Sequence, residues 1–447
     1  MRFACALLIA PALLAQNAAL DQKISSALAS SGAPSISVAV VQNGEIAYAK
    51  AFGKANIAEN QSADAATRYA IGSVSKQFTA AALLLLEEQG RISLDDKVSK
   101  FLPELTRASE VTIRELLSHT SGYEDYAPQD YMIPAWTRPI APREILDQWA
   151  KKPLNFDPGT RWQYSNTNYV IAGQIVERVS GQTLLAFLRE KIFQPLGMTT
   201  PGDISEHQPG DASAYTRYAI GPPRPVVREG PGWMFAAGEL AMTPSDLARW
   251  DLAFLQKRIL SAPSYEEFTH EVKLKDGKDT HYALGLSLGD LNGTPMISHS
   301  GEVSGFLTEN AVFPTKGVAV VVCSNEDGIN LIGPLARQIE QMVLGGAPEK
   351  ELAQVRGILE GLREGQVDRA IFTADANSYF NEIVLKDYTS SLGALGKLLD
   401  LTKTNEQQRG GMTHRTYRAR YEKKTVSLNV YVTPDGSYEQ FLVEESL

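Results

Sequence analysis

A serine and a lysine three residues apart begin an apolar segment near residue 75. The tetrad Ser73-Val74-Ser75-Lys76 precedes the apolar run 78–86. Residues i and i+3 share a helix face, so the Lys76 amine can reach the Ser73 hydroxyl. A serine needs such a base to become a nucleophile, and burial lowers the pKa of a lysine enough for that role. The spacing predicts a nucleophilic site at a helix N-terminus, where free N–H groups stabilise an oxyanion. The alternative is a helix start with a solvated lysine.

Two further motifs follow in a fixed order. Tyr164-Ser165-Asn166 begins 91 residues after Ser73, and His299-Ser300-Gly301 begins 135 residues after Tyr164. Taken singly, these residues have ordinary explanations: Tyr164 and His299 suit a core, and Asn166 suits a helix N-cap. The order and spacing of the three motifs favour one common site instead.

The three motifs together resemble those of the serine β-lactamase and penicillin-binding protein superfamily: Ser-x-x-Lys, Tyr-x-Asn and His-x-Gly. The resemblance covers about residues 20–343 and includes flanking stretches at 113–122, 158–160 and 195–198. It implies an α/β (α+β) fold, with an antiparallel sheet flanked by helices and a helical insertion. Within the superfamily, the chain looks most like D-alanyl-D-alanine carboxypeptidases, D-aminopeptidases, class C-like β-lactamases and family VIII esterases.

The resemblance also implies a role for each motif residue. Ser73 attacks a carbonyl, and Lys76 and Tyr164 form the proton relay. A phenol with its ordinary pKa is a poor base, so the relay needs either neighbouring positive charge or a path that forms no full tyrosinate. Asn166 holds the lysine and the substrate amide. The expected substrate-binding residues of the last motif are His299, Ser300, Gly301, which admits the substrate backbone, and Glu302, whose N–H joins that of Ser73 in the oxyanion hole.

The last motif departs from that of many β-lactamases. His299 stands where they place a lysine, and Glu302 follows Gly301 directly. A glutamate repels the carboxylate of penicillins and of D-Ala-D-Ala termini. We therefore expect a serine hydrolase for esters or for D-amino-acid amides and peptides. The alternatives are a β-lactamase or D-alanyl-D-alanine carboxypeptidase and, outside enzymes, a β-lactam-acylated sensor or binding protein. The expected binding partner is the substrate itself, a small-molecule ester, peptide or β-lactam.

Composition excludes several other classes. The chain has 447 residues, 43% hydrophobic and 21% charged, and a formal net charge of −9 without a basic block, so a nucleic-acid partner is not expected. The six histidines are scattered and no Cys-x-x-Cys pair occurs, so no metal or other cofactor is expected. His119 is interpreted as structural. Trp233 and Phe235 are assigned either to the pocket or to packing.

The first residues resemble an export signal, which predicts a secreted or periplasmic protein. Arg2 precedes an apolar stretch that ends near Ala15, and we expect cleavage near Ala15 or Ala19. After removal of the signal, residues 1–19, no membrane span is expected. The hydrolase domain is predicted over 20–344 and a linker over 345–349. Residues 350–447 are predicted to form a small α+β domain whose order of elements is similar to the cone-shaped folds related to nuclear transport factor 2.

Periodicity predicts the main elements. Strands over 35–41 and 45–52 are joined at Asn43-Gly44, a strong hairpin signal, and a short helix precedes them over 20–29. The Ser73 helix ends near Gly90. Period-two segments between 282 and 322 predict strands that share a sheet with the first pair, around a helical middle region and before a helix over 329–343. In the second domain we expect helices over 349–362, 367–379 and 385–399 and strands over 413–421, 425–432 and 438–443.

Overall fold

The computed structural model describes residues 6–129, 131–344 and 348–445, without the side chains of residues 6–15 and 348–350. The chain forms two compact units that divide between Leu344 and Gly345. The first three residues of the predicted linker, 345–347, lie outside the described residues, as do the first five residues of the predicted export signal. No helix in the described part of the chain is long and apolar enough to cross a membrane.

The first unit combines one large antiparallel sheet with ten α-helices among its described residues. Its strands are β1 (Ser35–Gln42), β2 (Glu45–Asn56), β3 (Gln61–Ser62), β4 (Tyr69–Ala70), β5 (Gly202–Asp203), β6 (Tyr215–Thr216), β7 (Arg224–Pro225), β8 (Leu240–Met242), β9 (Ser287–Leu291), β10 (Thr294–Val303), β11 (Phe306–Phe313) and β12 (Val318–Ser324). Its helices are α1 (Ala6–Ser31), α2 (Lys76–Glu88), α3 (Ile113–Leu117), α4 (Pro142–Ile145), α5 (Asn166–Ser180), α6 (Leu184–Leu188), α7 (Phe235–Gly238), α8 (Pro244–Leu255), α9 (Ala262–Thr269) and α10 (Ile332–Val343).

The main sheet joins strands from both ends of the unit, as predicted. Its order is β3-β2-β1-β12-β11-β10-β9, and every pairing is antiparallel. The turn between β1 and β2 places Asn43 at φ 55° and Gly44 at φ 79°, the left-handed conformation that an Asn-Gly hairpin requires. A small sheet, β4-β8-β5, lies in the helical region and leads directly into the Ser73 segment.

Both faces of the sheet are covered. Along β12, Val318, Val320 and Val322 pack in one core cluster with residues of α1 and α10, whereas Val321 and Cys323 belong to the cluster formed by the helical region. Alternate side chains of a strand point to opposite faces, so a strand buried on both sides reads as a continuous apolar run. The sheet with helices on each face confirms the predicted fold class.

Three elements of this unit differ from the sequence-based expectation. The short helix predicted over 20–29 is the C-terminal part of the longer helix α1. The strand expected from residue 282 begins only at Ser287, because Gly285 adopts φ +74° and breaks the extended backbone. The predicted helix at Ser73 begins as a 3₁₀ turn, Gly72–Ser75, and becomes α-helical only at Lys76.

The C-terminal unit contains three helices followed by a four-stranded antiparallel meander, β13-β14-β15-β16. The first strand was not predicted: the third helix ends at Ala394, and the next residues form an edge strand instead. The elements are α11 (Pro348–Arg363), α12 (Ala374–Tyr379), α13 (Glu382–Ala394), β13 (Leu398–Arg409), β14 (Met412–Tyr421), β15 (Thr425–Val432) and β16 (Tyr438–Glu445).

Candidate active site

Ser73 lies in a tight turn that packs against strand β10. A Cβ atom on Gly72, which has φ +50°, would lie 2.7 Å from the backbone nitrogen of Glu302, and one on Gly301 would overlap the carbonyl oxygen of Ile71. Both positions therefore need glycine, because two backbones touch there. We expected Gly301 to admit a substrate backbone, but its closest neighbour is the turn that carries Ser73. The contact brings the backbone of Ser73 beside that of Glu302.

Lys76 is completely buried behind Ser73. Its Nζ donates hydrogen bonds of 2.8 Å to three oxygens: Ser73 Oγ, Asn166 Oδ1 and the carbonyl oxygen of Ala237. None of these acceptors carries a charge. Burial lowers the pKa of Lys76 to about 7, and the carboxylate of Asp125 opposes that effect. The ammonium form makes all three donations. Near pH 7 a large fraction of the amine is neutral; it then keeps N–H donors for Asn166 and Ala237, and its lone pair can accept a proton from Ser73.

Tyr164 approaches Ser73 from the other side. Its hydroxyl donates a hydrogen bond of 2.8 Å to Ser73 Oγ, and its ring lies 4.3 Å from the His119 ring, measured between centroids. Burial raises the pKa of Tyr164 well above its ordinary value, despite the Ser73 hydrogen bond. The phenol is therefore neutral at physiological pH. The relay needs either positive charge that lowers the tyrosine pKa or a proton path that forms no full tyrosinate. The structure favours the second.

His119 is closer to this site than a purely structural assignment suggests. It is fully buried, and its Nδ1 accepts the backbone N–H of Ser165 at 3.2 Å. Burial, with the nearby charge of Lys76, lowers the pKa of His119, so the imidazole is neutral. Its ring supports the Tyr164 ring and makes no described hydrogen bond to Ser73.

Asn166 begins helix α5 and links Lys76 to a carboxylate that the sequence motifs do not include. Its carboxamide oxygen accepts the lysine, and its Nδ2 donates to Asp125 Oδ2 at 3.3 Å. Asp125 follows the stretch 113–122 by three residues, and no spacing rule marked it. Its position near a family-like stretch was the only available signal.

His299 carries no charge toward the substrate at neutral pH. Its Nδ1 is 2.6 Å from the carbonyl oxygen of Ser300, which can only accept, so Nδ1 donates and Nε2 accepts from Tyr282 OH at 2.9 Å. Burial, with the charge of Lys76, lowers the pKa of His299 to about 4. The two next polar residues of the strand, Ser300 and Glu302, are exposed and line the same cavity as Ser73.

The cavity has a volume of about 680 Å³. Ser73, Tyr164, Asn166 and His299 all line it, so the structure brings the three sequence motifs to one place. Trp233 is buried beneath the wall, where it packs on Trp136, and is not a lining residue among those described. Phe235 likewise packs against Gly173. The aromatic lining residues are Tyr126, Tyr131, Trp136, Trp162 and Tyr164.

The charged lining of the cavity has one sign. In the part of the chain that the structure describes, it contains four carboxylate side chains and no lysine or arginine. Glu229 Oε1 accepts the hydroxyl of Ser304 at 2.7 Å, and Asp327 Oδ2 accepts the N–H of Gly305 at 2.6 Å. Sequence analysis found only Glu302 of these acids; the complete set is Asp125, Glu229, Glu302 and Asp327.

A half-buried serine that is hydrogen-bonded to a buried lysine and to a tyrosine, beside a β-strand, defines the class of serine hydrolases with a Ser-x-x-Lys nucleophile. The Beta-lactamase family model matches residues 20–339, so the chain belongs to the Beta-lactamase family. The chain is a serine hydrolase of the β-lactamase and penicillin-binding protein superfamily, which confirms the resemblance found in its motifs.

Relatives within the superfamily differ in their named activities. Penicillin-binding protein 4* of Bacillus subtilis (strain 168) is 28% identical over 384 residues, which cover 79% of this chain and 80% of that protein. A D-aminopeptidase of Brucella anthropi is 26% identical over 305 residues, which cover 66% of this chain and 56% of the relative.

Solved structures show the same fold. A D-stereospecific amidohydrolase from Streptomyces sp. has a TM-score of 0.63 and 28% identity, over 74% of this chain and 99% of that one. The octameric penicillin-binding protein homologue from Pyrococcus abyssi has a TM-score of 0.66 and 22% identity, over 95% of this chain and 99% of that one. The second match extends the likeness in fold through most of the C-terminal unit.

Proposed function

We propose that the protein hydrolyses amides or short peptides of D-amino acids that carry a free amino group, through an acyl-enzyme on Ser73. The acidic cavity is the observation that carries this proposal. A substrate that enters it meets four carboxylates and a neutral His299. An ammonium group is attracted by that lining, whereas a carboxylate is repelled. The D-aminopeptidase and the D-stereospecific amidohydrolase among its relatives support the choice of D-amino acids.

The geometry supports a simple reaction sequence. Neutral Lys76 accepts the Ser73 proton as Oγ attacks the carbonyl carbon, and the backbone N–H groups of Ser73 and Glu302 stabilise the oxyanion. Tyr164 gives its proton to the leaving nitrogen and regains one from the Lys76 ammonium, so no free tyrosinate accumulates. The C–N bond breaks and an amine leaves. Water then attacks the acyl-enzyme with the same groups acting in reverse, which releases the acid and restores Ser73.

Two of the acidic side chains also have an oxygen without a partner. Glu229 Oε2 and Asp327 Oδ1 are buried and have no hydrogen-bond partner among the described residues. Buried polar atoms are normally paired, and no described donor offsets the negative charge of these two oxygens. Neutral esters remain a second candidate substrate class, because a cavity without a cationic side chain does not penalise them. β-Lactam hydrolysis and acylation without turnover are the less favoured alternatives.

The test compares four chromogenic substrates under one set of conditions: D-alanine p-nitroanilide, its N-acetylated form, p-nitrophenyl butyrate and nitrocefin. We expect kcat/KM for the free amine to exceed that of the acetylated form by at least about tenfold, the effect of roughly 1.4 kcal/mol of charge attraction. The acetylated compound is the matched control, because its scissile bond is unchanged. Fastest turnover of nitrocefin would contradict the proposal.

Glu302 provides a sharper test of the charge argument. Glu302→Thr is expected to raise the ratio of kcat/KM for nitrocefin to that for p-nitrophenyl butyrate about fivefold, because only nitrocefin loses a like-charge contact of roughly 1 kcal/mol. Adding His299→Lys is expected to increase the ratio further. Glu45→Thr makes the same substitution at an exposed position on β2, outside the described cavity, and serves as the control. An unchanged ratio in both site variants would contradict the charge argument and would make β-lactamase activity as well supported as the proposed activity.

We also propose that residues 1–19 direct export and are removed. The basic start and apolar stretch support this proposal. The intact mass of protein recovered from the periplasm or medium of an expressing bacterium should correspond to a chain that begins near Gln16 or Leu20. Recovery of the full-length chain only from the cytosol would contradict it.

A further inference from the structure

Asp125 receives three hydrogen bonds at the edge of the cavity. Its Oδ1 accepts the backbone N–H groups of Asn166 at 2.9 Å and Ala127 at 3.2 Å, and its Oδ2 accepts the Asn166 side chain at 3.3 Å. Asn166 is the first residue of α5, and the N-cap residue Ser165 makes no side-chain capping bond. The carboxylate therefore occupies the helix N-terminus, where free N–H groups and the helix dipole favour negative charge.

This contact decides which way the Asn166 carboxamide faces. A carboxamide has a donor side and an acceptor side, and a carboxylate can only accept. The Nδ2 of Asn166 must therefore face Asp125, and its Oδ1 must face Lys76, which donates to it at 2.8 Å. We infer that Asp125 is a positioning residue, which fixes Asn166 so that the Lys76 amine stays on Ser73. The inference depends on the roles of Ser73 and Lys76 in the proposed function.

The charge of Asp125 acts on the same lysine. Burial lowers the pKa of Lys76, and the Asp125 carboxylate raises it. Burial also raises the pKa of Asp125 itself, but the hydrogen bonds from Ala127 and Asn166 and the charge of Lys76 oppose that rise. The other titratable groups described around Lys76 are neutral at physiological pH: Tyr164, Tyr169, His119 and His299. Loss of the carboxylate therefore lowers the lysine pKa further.

Asp125→Asn separates positioning from general damage. The new side chain presents a donor to the donor side of Asn166, which favours a flipped Asn166 with its Nδ2 toward Lys76. The measurement is the rate at which a fluorophosphonate labels Ser73, followed by intact mass as a function of pH. We expect the alkaline plateau to fall at least about tenfold and the midpoint of the rate profile to move to lower pH. A merely structural defect would lower the plateau without moving the midpoint.

Two further variants complete the experiment. Glu124→Gln changes the neighbouring carboxylate, which pairs with exposed Lys152, and should leave the profile unchanged. The exchange variant combines Asp125→Asn with Asn166→Asp, so the two side chains trade places. The carboxamide at position 125 then donates to the carboxylate at position 166, and the negative charge lies beside Lys76. We expect the exchange variant to label faster than Asp125→Asn alone, with a midpoint above that of the wild type.

Each outcome decides the inference. A wild-type profile in Asp125→Asn, or an exchange variant no faster than that single variant, would overturn it. If Asp125→Asn does not fold, a folded exchange variant decides in the same way: recovery of labelling supports the inference, and absence of labelling overturns it. A wild-type protein that is not labelled on Ser73 would instead refute the proposed function, and the inference with it.

Discussion

Two regions of the molecule bury positive charge in different ways. In the active site, Lys76 is fully buried and all three of its hydrogen-bond acceptors are uncharged oxygens. In the C-terminal unit, Lys403 and Arg415 are largely buried but lie 2.7 and 2.8 Å from the carboxylate of Glu406. Among the described residues, Lys76 has no carboxylate within hydrogen-bond distance, whereas Lys403 and Arg415 share the carboxylates of Glu406 and Glu351.

The difference separates a chemical use of charge from a structural use. Without a bonded carboxylate, burial lowers the pKa of Lys76 to about 7, so the amine can gain and lose a proton under physiological conditions. In the C-terminal unit, hydrogen bonds from Lys403 and Arg415 hold the pKa of Glu406 below its usual value although burial opposes them. A paired charge keeps its protonation state and stabilises the fold, whereas the unpaired charge of Lys76 is suited to proton transfer.

Removal of the nucleophile should have the largest effect on activity, although it changes neither set of buried charges. Ser73→Ala deletes a reacting atom and leaves the charges in place, so hydrolysis is expected to be abolished while the fold is retained. Intact mass after fluorophosphonate treatment measures the result, with Ser205→Ala, an exposed serine, as the control that keeps the label. A label that persists on Ser73→Ala would assign the nucleophile elsewhere.

Removal of either relay group comes next. Lys76→Ala and Tyr164→Phe should each lower kcat at least about 10²-fold, the usual effect of lost acid–base help. Because both side chains contact Ser73 Oγ, the double variant should lose far less than the sum of the two losses in log units. Stopped-flow or steady-state rates of the wild type, the two single variants and the double variant on one ester substrate complete this double-mutant cycle. Additive losses would show that the two groups do not share a relay.

The sequence predicted the sheet well wherever burial leaves a pattern. The apolar run of β12 and the Asn-Gly turn before β2 placed the main strands and their common sheet. Strand β13 carries no such pattern, because its residues 404–409 are exposed at a sheet edge. A polar edge strand and a solvated helix have similar compositions, and only the pairing with β14 distinguishes them.

The site was predictable to the extent that residue types and spacing define it. Ser73, Tyr164 and the His299 strand line one cavity, and Lys76 is hydrogen-bonded to Ser73 behind it, as their motifs implied. The pKa directions were not available, because they depend on how deeply each group is buried. The remaining acids of the cavity lie in irregular segments without periodicity, so only the folded chain shows that Asp125, Glu229 and Asp327 line the same cavity as the nucleophile.

The unpaired lysine also predicts a dependence of stability on pH. Its pKa in the folded state lies below the ordinary value of 10.5, so between about pH 7 and 10.5 the unfolded chain holds a proton that the folded chain has released. The wild-type free energy of unfolding therefore gains a contribution as pH rises through this window. Lys76→Met lacks that gain, so its stability relative to wild type should be greatest at and below pH 7 and should fall toward pH 10.

Urea denaturation of both proteins at several pH values within this window measures that difference. Lys316→Met is the control, because it removes an exposed lysine in the turn between β11 and β12 and takes no charge out of the interior. If the difference in the free energy of unfolding between Lys76→Met and wild type does not change with pH, Lys76 keeps its proton when buried. That result would contradict the contrast drawn between the active site and the C-terminal unit.

The paired charges of the C-terminal unit should give the smallest and most local effect. Glu351 is 7% exposed; its Oε1 accepts the hydroxyl of Tyr417 at 2.5 Å, and its Oε2 lies 3.3 Å from Arg415 Nη1 and 3.6 Å from Lys403 Nζ. Glu351→Gln keeps an acceptor for Tyr417 but removes the shared charge, at a cost of about 2 kcal/mol to the unfolding of this unit. The activity under native conditions should not change.

The tryptophans allow this loss to be assigned to one unit. All five tryptophans lie in the first unit: Trp136, Trp149, Trp162, Trp233 and Trp250. Their fluorescence therefore reports the unfolding of that unit, whereas circular dichroism reports the unfolding of both units. Glu351→Gln should shift the dichroism transition of the C-terminal unit and leave the tryptophan transition in place. Glu360→Gln, which breaks a more exposed pair with Arg363 on α11, should shift neither by more than about 0.5 kcal/mol. Equal shifts in Glu351→Gln and Glu360→Gln would mean that the buried network contributes no more than a surface ion pair, and the structural role assigned to it would be wrong.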